Sequence, residues 1–157
     1  MNDWLDIRRG EAALIVAFPH TGTDLADVGD AFHSPWIARA DADWWVDQLY
    51  AFACDLGATT IRTAISRSVI DVNRDPSGAS LYSGQATTEL CPTTDFDGAP
   101  LYAGTVPNAA EIDRRRANWF TPYHAALQSE IDRLRARHDR VVVYDAHSIR
   151  SHVPRLF

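Results

Sequence analysis

Two histidines and a carboxylate-rich set of loops stand where this chain turns from apolar to polar. The run Val141-Val142-Val143-Tyr144 gives way at once to Asp145-Ala146-His147-Ser148-Ile149-Arg150-Ser151-His152. An earlier apolar run, residues 12–18, stops at Pro19-His20-Thr21-Gly22. Imidazole nitrogens and carboxylate oxygens are the donors of many catalytic zinc sites, three from the protein with a fourth position left for water. His20, His147 and one carboxylate would make such a set. Asp43 is the carboxylate expected, with Asp41 as its competitor. A metal held there would acidify its water and polarise a carbonyl. Neither histidine belongs to a tight motif such as H-E-x-x-H, so blander readings stand beside this one. His20 alone fits a hydrogen-bonding loop residue, Asp43 a helix cap, and Asn73-Arg74 a turn. Arginines 114 to 116 fit a solvated helix face. His33, His124 and His138 lack a polar cluster and read as structural or exposed.

The elements that must position these groups are legible in the periodicity. Residues 12–18 read as a buried strand. Asp43 opens a helical pattern in which Trp45, Leu49, Phe52, Ala53 and Leu56 share one face, with Gly57 as its stop. Trp44 and Trp45 read as core or pocket wall. The β-branched stretch 59–65 is a second strand, which residues 68–72 extend or follow. Residues 75–110 hold four of the eight glycines and four of the eight prolines. They form a long loop region with a short hairpin around Asp97-Gly98. Tyr82, Phe96 and Tyr102 favour an ordered lid over a linker. Residues 111–138 read as one long helix, or two meeting at Pro122, with Ala126, Leu127, Ile131 and Leu134 on the apolar face. Residues 141–144 are then a third buried strand. Strand–helix–strand–loops–helix–strand gives an α/β layered domain with a mostly parallel sheet. Ligands bind such sheets at the carboxyl ends of the strands, where His20, Arg67, Asn73-Arg74, Asp145 and His147 would gather.

Length and charge bound the rest. At 157 residues and 46% hydrophobic, the chain is one domain with material for a core. The net charge is −6, and every cation is arginine. An acidic chain without a basic run argues against nucleic acid. Guanidinium forks suit carboxylate ligands. Cys54 and Cys91 lie far apart with no C-x-x-C, which argues for a reduced, cytoplasmic setting and against a thiolate zinc site. No run of residues approaches a membrane span.

An ordered series of motifs resembles the N-formylglutamate amidohydrolase (N-formylglutamate deformylase) family. The series is Phe18-Pro19-His20-Thr21-Gly22, Asp41-Ala42-Asp43-Trp44, Ser66-Arg67-Ser68-Val69-Ile70-Asp71-Val72-Asn73-Arg74, Leu81-Tyr82-Ser83-Gly84, Phe96-Asp97-Gly98-Ala99-Pro100-Leu101-Tyr102, Pro122-Tyr123-His124 and Asp145-Ala146-His147-Ser148-Ile149-Arg150-Ser151. The family is similar to zinc exopeptidases of the carboxypeptidase type. The resemblance implies a three-layer α/β sandwich of hydrolase kind with a parallel or mixed sheet. It implies cleavage of N-formyl-L-glutamate to formate and L-glutamate, a late step of histidine breakdown. It further implies His20, Asp43 and His147 as ligands of a divalent metal, zinc or alternatively cobalt. Asn73 and Arg74 would hold the α-carboxylate of a small dicarboxylate substrate, and Arg67 or Arg150 the other. Asp145 would orient His147, and Arg150 would stand at the reacting centre. Two departures matter. Trp45 stands where relatives tend to carry a histidine, and family members continue past Phe157. Residues 1–157 are therefore expected to be the N-terminal part of a longer hydrolase domain, with the general base beyond them. The alternatives are a catalytically incomplete fragment that binds metal or a dicarboxylate, and a hydrolase of another N-acyl amino acid.

Overall fold

The computed structural model describes residues 3–77 and 89–151. The Leu81-Tyr82-Ser83-Gly84 stretch, with its proposed lid tyrosine, and His152 lie outside the described residues.

Four strands form one mixed sheet in the order β1-β3-β2-β4. They are β1 (Leu5–Arg8), β2 (Leu14–Phe18), β3 (Thr59–Thr63) and β4 (Val142–Asp145). β2 runs parallel to β3, with Ile15 opposite Thr59, and parallel to β4, with Leu14 opposite Val142. β1 closes the far edge antiparallel to β3. The sequence reading missed β1, because Leu5-Asp6-Ile7-Arg8 alternates over only four residues. β2 is central and buried on both faces, as an unbroken apolar run requires. Ile15 and Ala17 join Ile61 in the main core, while Val16 and Phe18 point into a smaller cluster with Val46, Ala53 and Ala146.

The main core is roofed by a helical segment in three parts. Its first part, the helix Ala109–Arg115, is capped by Asn108, whose side chain accepts from the Glu111 N–H at 3.0 Å. A π-helical turn, Arg116–Phe120, buries Trp119 and Phe120. A fifteen-residue helix, Thr121–Arg135, continues from that turn with Pro122 near its start. It packs Leu134, with Leu127 and Ile131, against the sheet.

Three expectations are corrected here. The segment 43–56 is not one amphipathic helix. Helix starts only after Trp45, which takes a left-handed φ of 66°, and breaks at Tyr50 into the short turns Val46–Leu49 and Ala51–Ala53. The expected inward face consequently points out: Trp45, Leu49, Phe52 and Leu56 are exposed, and Trp44 is partly so. β4 is a strand, but its residues are exposed, because it is the sheet edge and pairs on one side only with β2. Arg115 is no solvated arginine: it is buried, donating to the Tyr102 hydroxyl at 2.8 Å and the Val69 carbonyl at 3.0 Å. Gly57 does end its segment, with a φ of 70°. No helix among the described residues is long and apolar enough to cross a membrane.

Candidate metal centre

The site grows from the carboxyl ends of β2 and β4 and the turn after β3. Gly22 lets the loop after β2 lie on the chain after β3: a Cβ there would meet the Ala64 carbonyl carbon at 2.4 Å. Backbone bonds from Asp24 N–H to the Ala64 carbonyl and from Ser66 N–H to the Asp24 carbonyl, both 2.8 Å, join the two loops. His20 is thereby set against Asp71, which is fully buried.

Asp71 organises one half of the site. His20 Nε2 lies 2.6 Å from its Oδ1, which also accepts the Asn73 N–H at 2.9 Å. Its Oδ2 accepts from Arg67 at 2.7 Å and lies 3.4 Å from Arg74 Nε. Burial works to raise the Asp71 carboxyl, but the charge and hydrogen bond of His20, then Arg67 and Arg74, outweigh it and hold it well below the ordinary carboxylate range. Arg67, expected to face substrate, is instead buried between Asp71 and His20, with its guanidinium 3.2 Å from His20 Nδ1.

Asp43 joins the two halves. Its own N–H donates to the His20 carbonyl at 2.8 Å, which fixes the loop that carries it. Its Oδ2 lies 3.1 Å from His147 Nδ1 and 3.7 Å from His20 Nδ1, and Oδ1 accepts the Ser148 hydroxyl at 2.9 Å. Burial raises this carboxyl too, but bonds from His147, His20 and Ser148 prevail and lower it well below the usual range. Asp43 is therefore a site residue and not the cap of the helical turn that follows. His147 is an exposed residue, with 33% of its side chain accessible, and its Nε2 lies 3.1 Å from the Asn73 amide nitrogen. Both its ring nitrogens are thus engaged by Asp43 and Asn73, and Asp145, expected behind it, acts on the buried Tyr123 hydroxyl, helping burial to raise it.

His20, Asp43 and His147 offer ligand atoms all within 4.8 Å of one another. Two imidazoles and a carboxylate are the donor set of open zinc sites, and the chemistry of each donor fits. If the His20 proton sits on Nε2, facing Asp71 in the carboxylate–histidine arrangement that orients metal ligands, its Nδ1 lone pair accepts from Arg67 at 3.2 Å, a contact that a metal bound there would displace. The hydrogen-bond network assigns a proton to His147 Nδ1, facing Asp43. A cation held at Nδ1 would require the other tautomer of the neutral ring, with the proton on Nε2 and the Asn73 amide turned to present its oxygen.

A second cluster adjoins the first. Asp41 accepts the Phe96 N–H at 2.8 Å and lies 3.4 Å from Arg150, which also pairs with Asp97 at 2.9 Å. Burial pushes the Asp41 carboxyl up, against the pull of the Phe96 N–H, Arg150 and Arg67. Asp41 is thus apart from the His–Asp–His group. The role of Asp71 escaped the residue-by-residue reading, although a lone acid inside Val69-Ile70-Asp71-Val72 is a usable signal: a charge in an apolar run must be paired.

Comparison with known proteins gives a consistent picture. The family model of N-formylglutamate amidohydrolase matches residues 12–157. The chain is 45% identical to an N-formylglutamate deformylase of Pseudomonas aeruginosa and 42% identical to one of Pseudomonas putida, over its whole length in both cases. It spans 59% of the length of each of these relatives. Among solved structures it resembles an N-formylglutamate amidohydrolase from Ralstonia eutropha JMP134, with a TM-score of 0.74 and 26% identity, covering 92% of this chain and 56% of that one. A gene product of Agrobacterium tumefaciens, 19% identical with a TM-score of 0.73, shares the fold.

Proposed function

Since this chain belongs to the N-formylglutamate amidohydrolase family, we propose that it carries the metal-binding part of an enzyme that hydrolyses N-formyl-L-glutamate to formate and L-glutamate. We read residues 1–157 as one α/β domain equivalent to part of a longer hydrolase domain. The observation that carries the reading is the convergence of His20, Asp43 and His147 at the sheet's carboxyl edge. These residues would hold a divalent cation, with zinc favoured by the donor set and cobalt the alternative. When bound, such an ion supplies an acidified water and a polarised formyl carbonyl.

The chain's own residues do the rest. Asp71 holds His20 in one tautomer, and Ser148 fixes the Asp43 carboxylate. Asn73 holds His147 through its side chain and is itself pinned by Asp71. Arg74, drawn toward Asp71, stands beside it for an α-carboxylate. Arg150 is the fork that solvent reaches for the distal carboxylate. Arg67, against His20 Nδ1, lies closer to the metal group, where it would stabilise a developing oxyanion. Among the described residues Glu11, Glu89, Glu111 and Glu130 are all engaged away from the site, so none of them is the proton acceptor.

The coverage of 59% of the relatives supports a second reading, a unit that binds metal or dicarboxylate without turnover. Formate release from N-formyl-L-glutamate, followed with a formate dehydrogenase after zinc or cobalt loading, separates the two. Formate produced only with metal supports hydrolysis. Stoichiometric metal uptake without formate supports the binding unit. Failure to take up metal would sink the hydrolase reading and leave only a unit that binds a dicarboxylate.

A further inference from the structure

The hairpin 94–100 is built rigidly for a loop of its size. Asp95 Oδ1 accepts the Asp97 and Ala99 N–H groups at 3.0 and 2.7 Å, and Gly98 turns the chain at a φ of 90°. Its Phe96 ring lies between two cations, 4.8 Å from the Arg67 guanidinium and 5.6 Å from that of Arg150. Arg67 is committed to Asp71 and buried. Arg150 is 44% exposed, and its nearer partner, Asp97, is 63% exposed. Its other partner, Asp41, is nearly buried and is held in place by the Phe96 N–H. An exposed ion pair contributes little and exchanges readily, whereas a guanidinium fork grips a well-placed carboxylate in two bonds.

We propose that Asp97 is an internal stand-in for a ligand carboxylate: it occupies Arg150 until the distal carboxylate of a dicarboxylate ligand replaces it, with Phe96 as the platform that sets Arg150 at a fixed reach from the His–Asp–His group. The ligand class rests on the function proposed above; the gate itself does not. The chemistry is an exchange of one carboxylate for another at the same fork. It selects dianions, because a neutral amide cannot replace a charged partner without loss.

The test is calorimetric and uses EDTA-treated protein, so that nothing is hydrolysed. N-formyl-L-glutamate and N-formyl-L-glutamine are titrated into the unaltered chain, Asp97→Asn and Phe96→Leu. Asp97→Asn should bind the glutamate compound about threefold tighter, the size an exposed ion pair supports, and leave the glutamine compound unmoved. Phe96→Leu should weaken the glutamate compound alone by about threefold, since a cation loses its aromatic face. Equal changes for both ligands, no change for either, or no binding of the glutamate compound to any of the three would overturn the gate. A changed affinity ratio, with no formate released in the separate zinc- or cobalt-loaded assay, would leave the gate standing and remove the hydrolase reading. Formate release with an unchanged ratio would do the reverse.

Discussion

Two buried carboxylates, each gripped by arginines, lie at opposite ends of the sheet. Asp71, at the carboxyl end, is held by Arg67 and Arg74. Glu130, on the fifteen-residue helix, is held by Arg9 at 2.8 Å and Arg133 at 2.7 Å, and Arg133 continues to the Gly10 carbonyl and the Thr59 hydroxyl. The local chemistry is the same, a buried charge satisfied by guanidinium. The difference is the third partner. Glu130 has arginines that end on backbone, a hydroxyl and the exposed Glu11 carboxylate, so its network closes and ties the helix to the strands. Asp71 has His20, whose second ring nitrogen faces Asp43 and His147. Its network continues into the His–Asp–His group. A buried ion pair by itself is weak evidence of function; an imidazole that also faces a second acid and a second imidazole is what sets this end apart.

The comparison breaks most visibly at His147, which belongs to the His–Asp–His group and is exposed. His147→Ala should reduce zinc affinity by well over the roughly 100-fold attributed to partners behind a ligand. Its folding free energy should hold within about 1 kcal/mol, as for other surface changes. Competition with a chromogenic chelator and urea denaturation check the two halves; a variant that keeps its zinc affinity removes His147 from the ligand set.

Asp71→Asn should do both kinds of damage. It leaves Arg67 buried with a poorer partner, costing about 3 kcal/mol of stability, and it loosens His20, costing roughly 10–100-fold in metal affinity. Stability lost with metal affinity intact would make Asp71 a purely structural residue like Glu130.

Glu130→Gln should cost about 2 kcal/mol, less than Asp71 because Arg9 is mostly exposed, and should leave zinc affinity unchanged. Burial favours the protonated Glu130, but Arg133 and Arg9 outweigh it and lower its carboxyl. Its contribution is therefore present above the unfolded value of about 4.3 and lost as pH falls through the lower folded value. Urea midpoints measured from about pH 5 downward should fall less steeply in Glu130→Gln than in the unaltered chain. Parallel slopes would mean that Glu130 does not carry a lowered pKa in the folded state.

How much of this was legible follows from how far apart the interacting residues lie in sequence. β2, β3, β4 and the long helical segment announced themselves through local periodicity, because burial on a strand or helix repeats every few residues. The exposed side of 43–56 did not. Trp45, Leu49, Phe52 and Leu56 keep a helical spacing, yet spacing says nothing of which way a stripe faces once Trp45 turns left-handed. Edge position likewise hid in β4, since a strand's neighbours are not in its own sequence.

The sequence by itself determined the donor types, the order of the elements and the family, because these are properties of residues and of motifs in series. It also marked His20, Asp43 and His147 as able to bind a metal. Only the tertiary structure decided that Asp43 rather than Asp41 meets both histidines, that Arg67 is locked to Asp71, and that Arg150 waits beneath Asp97. Residues 20, 43, 71 and 147 are brought within a few ångströms by parallel crossovers of some forty to eighty residues. No local pattern encodes which carboxylate such crossovers deliver to which nitrogen.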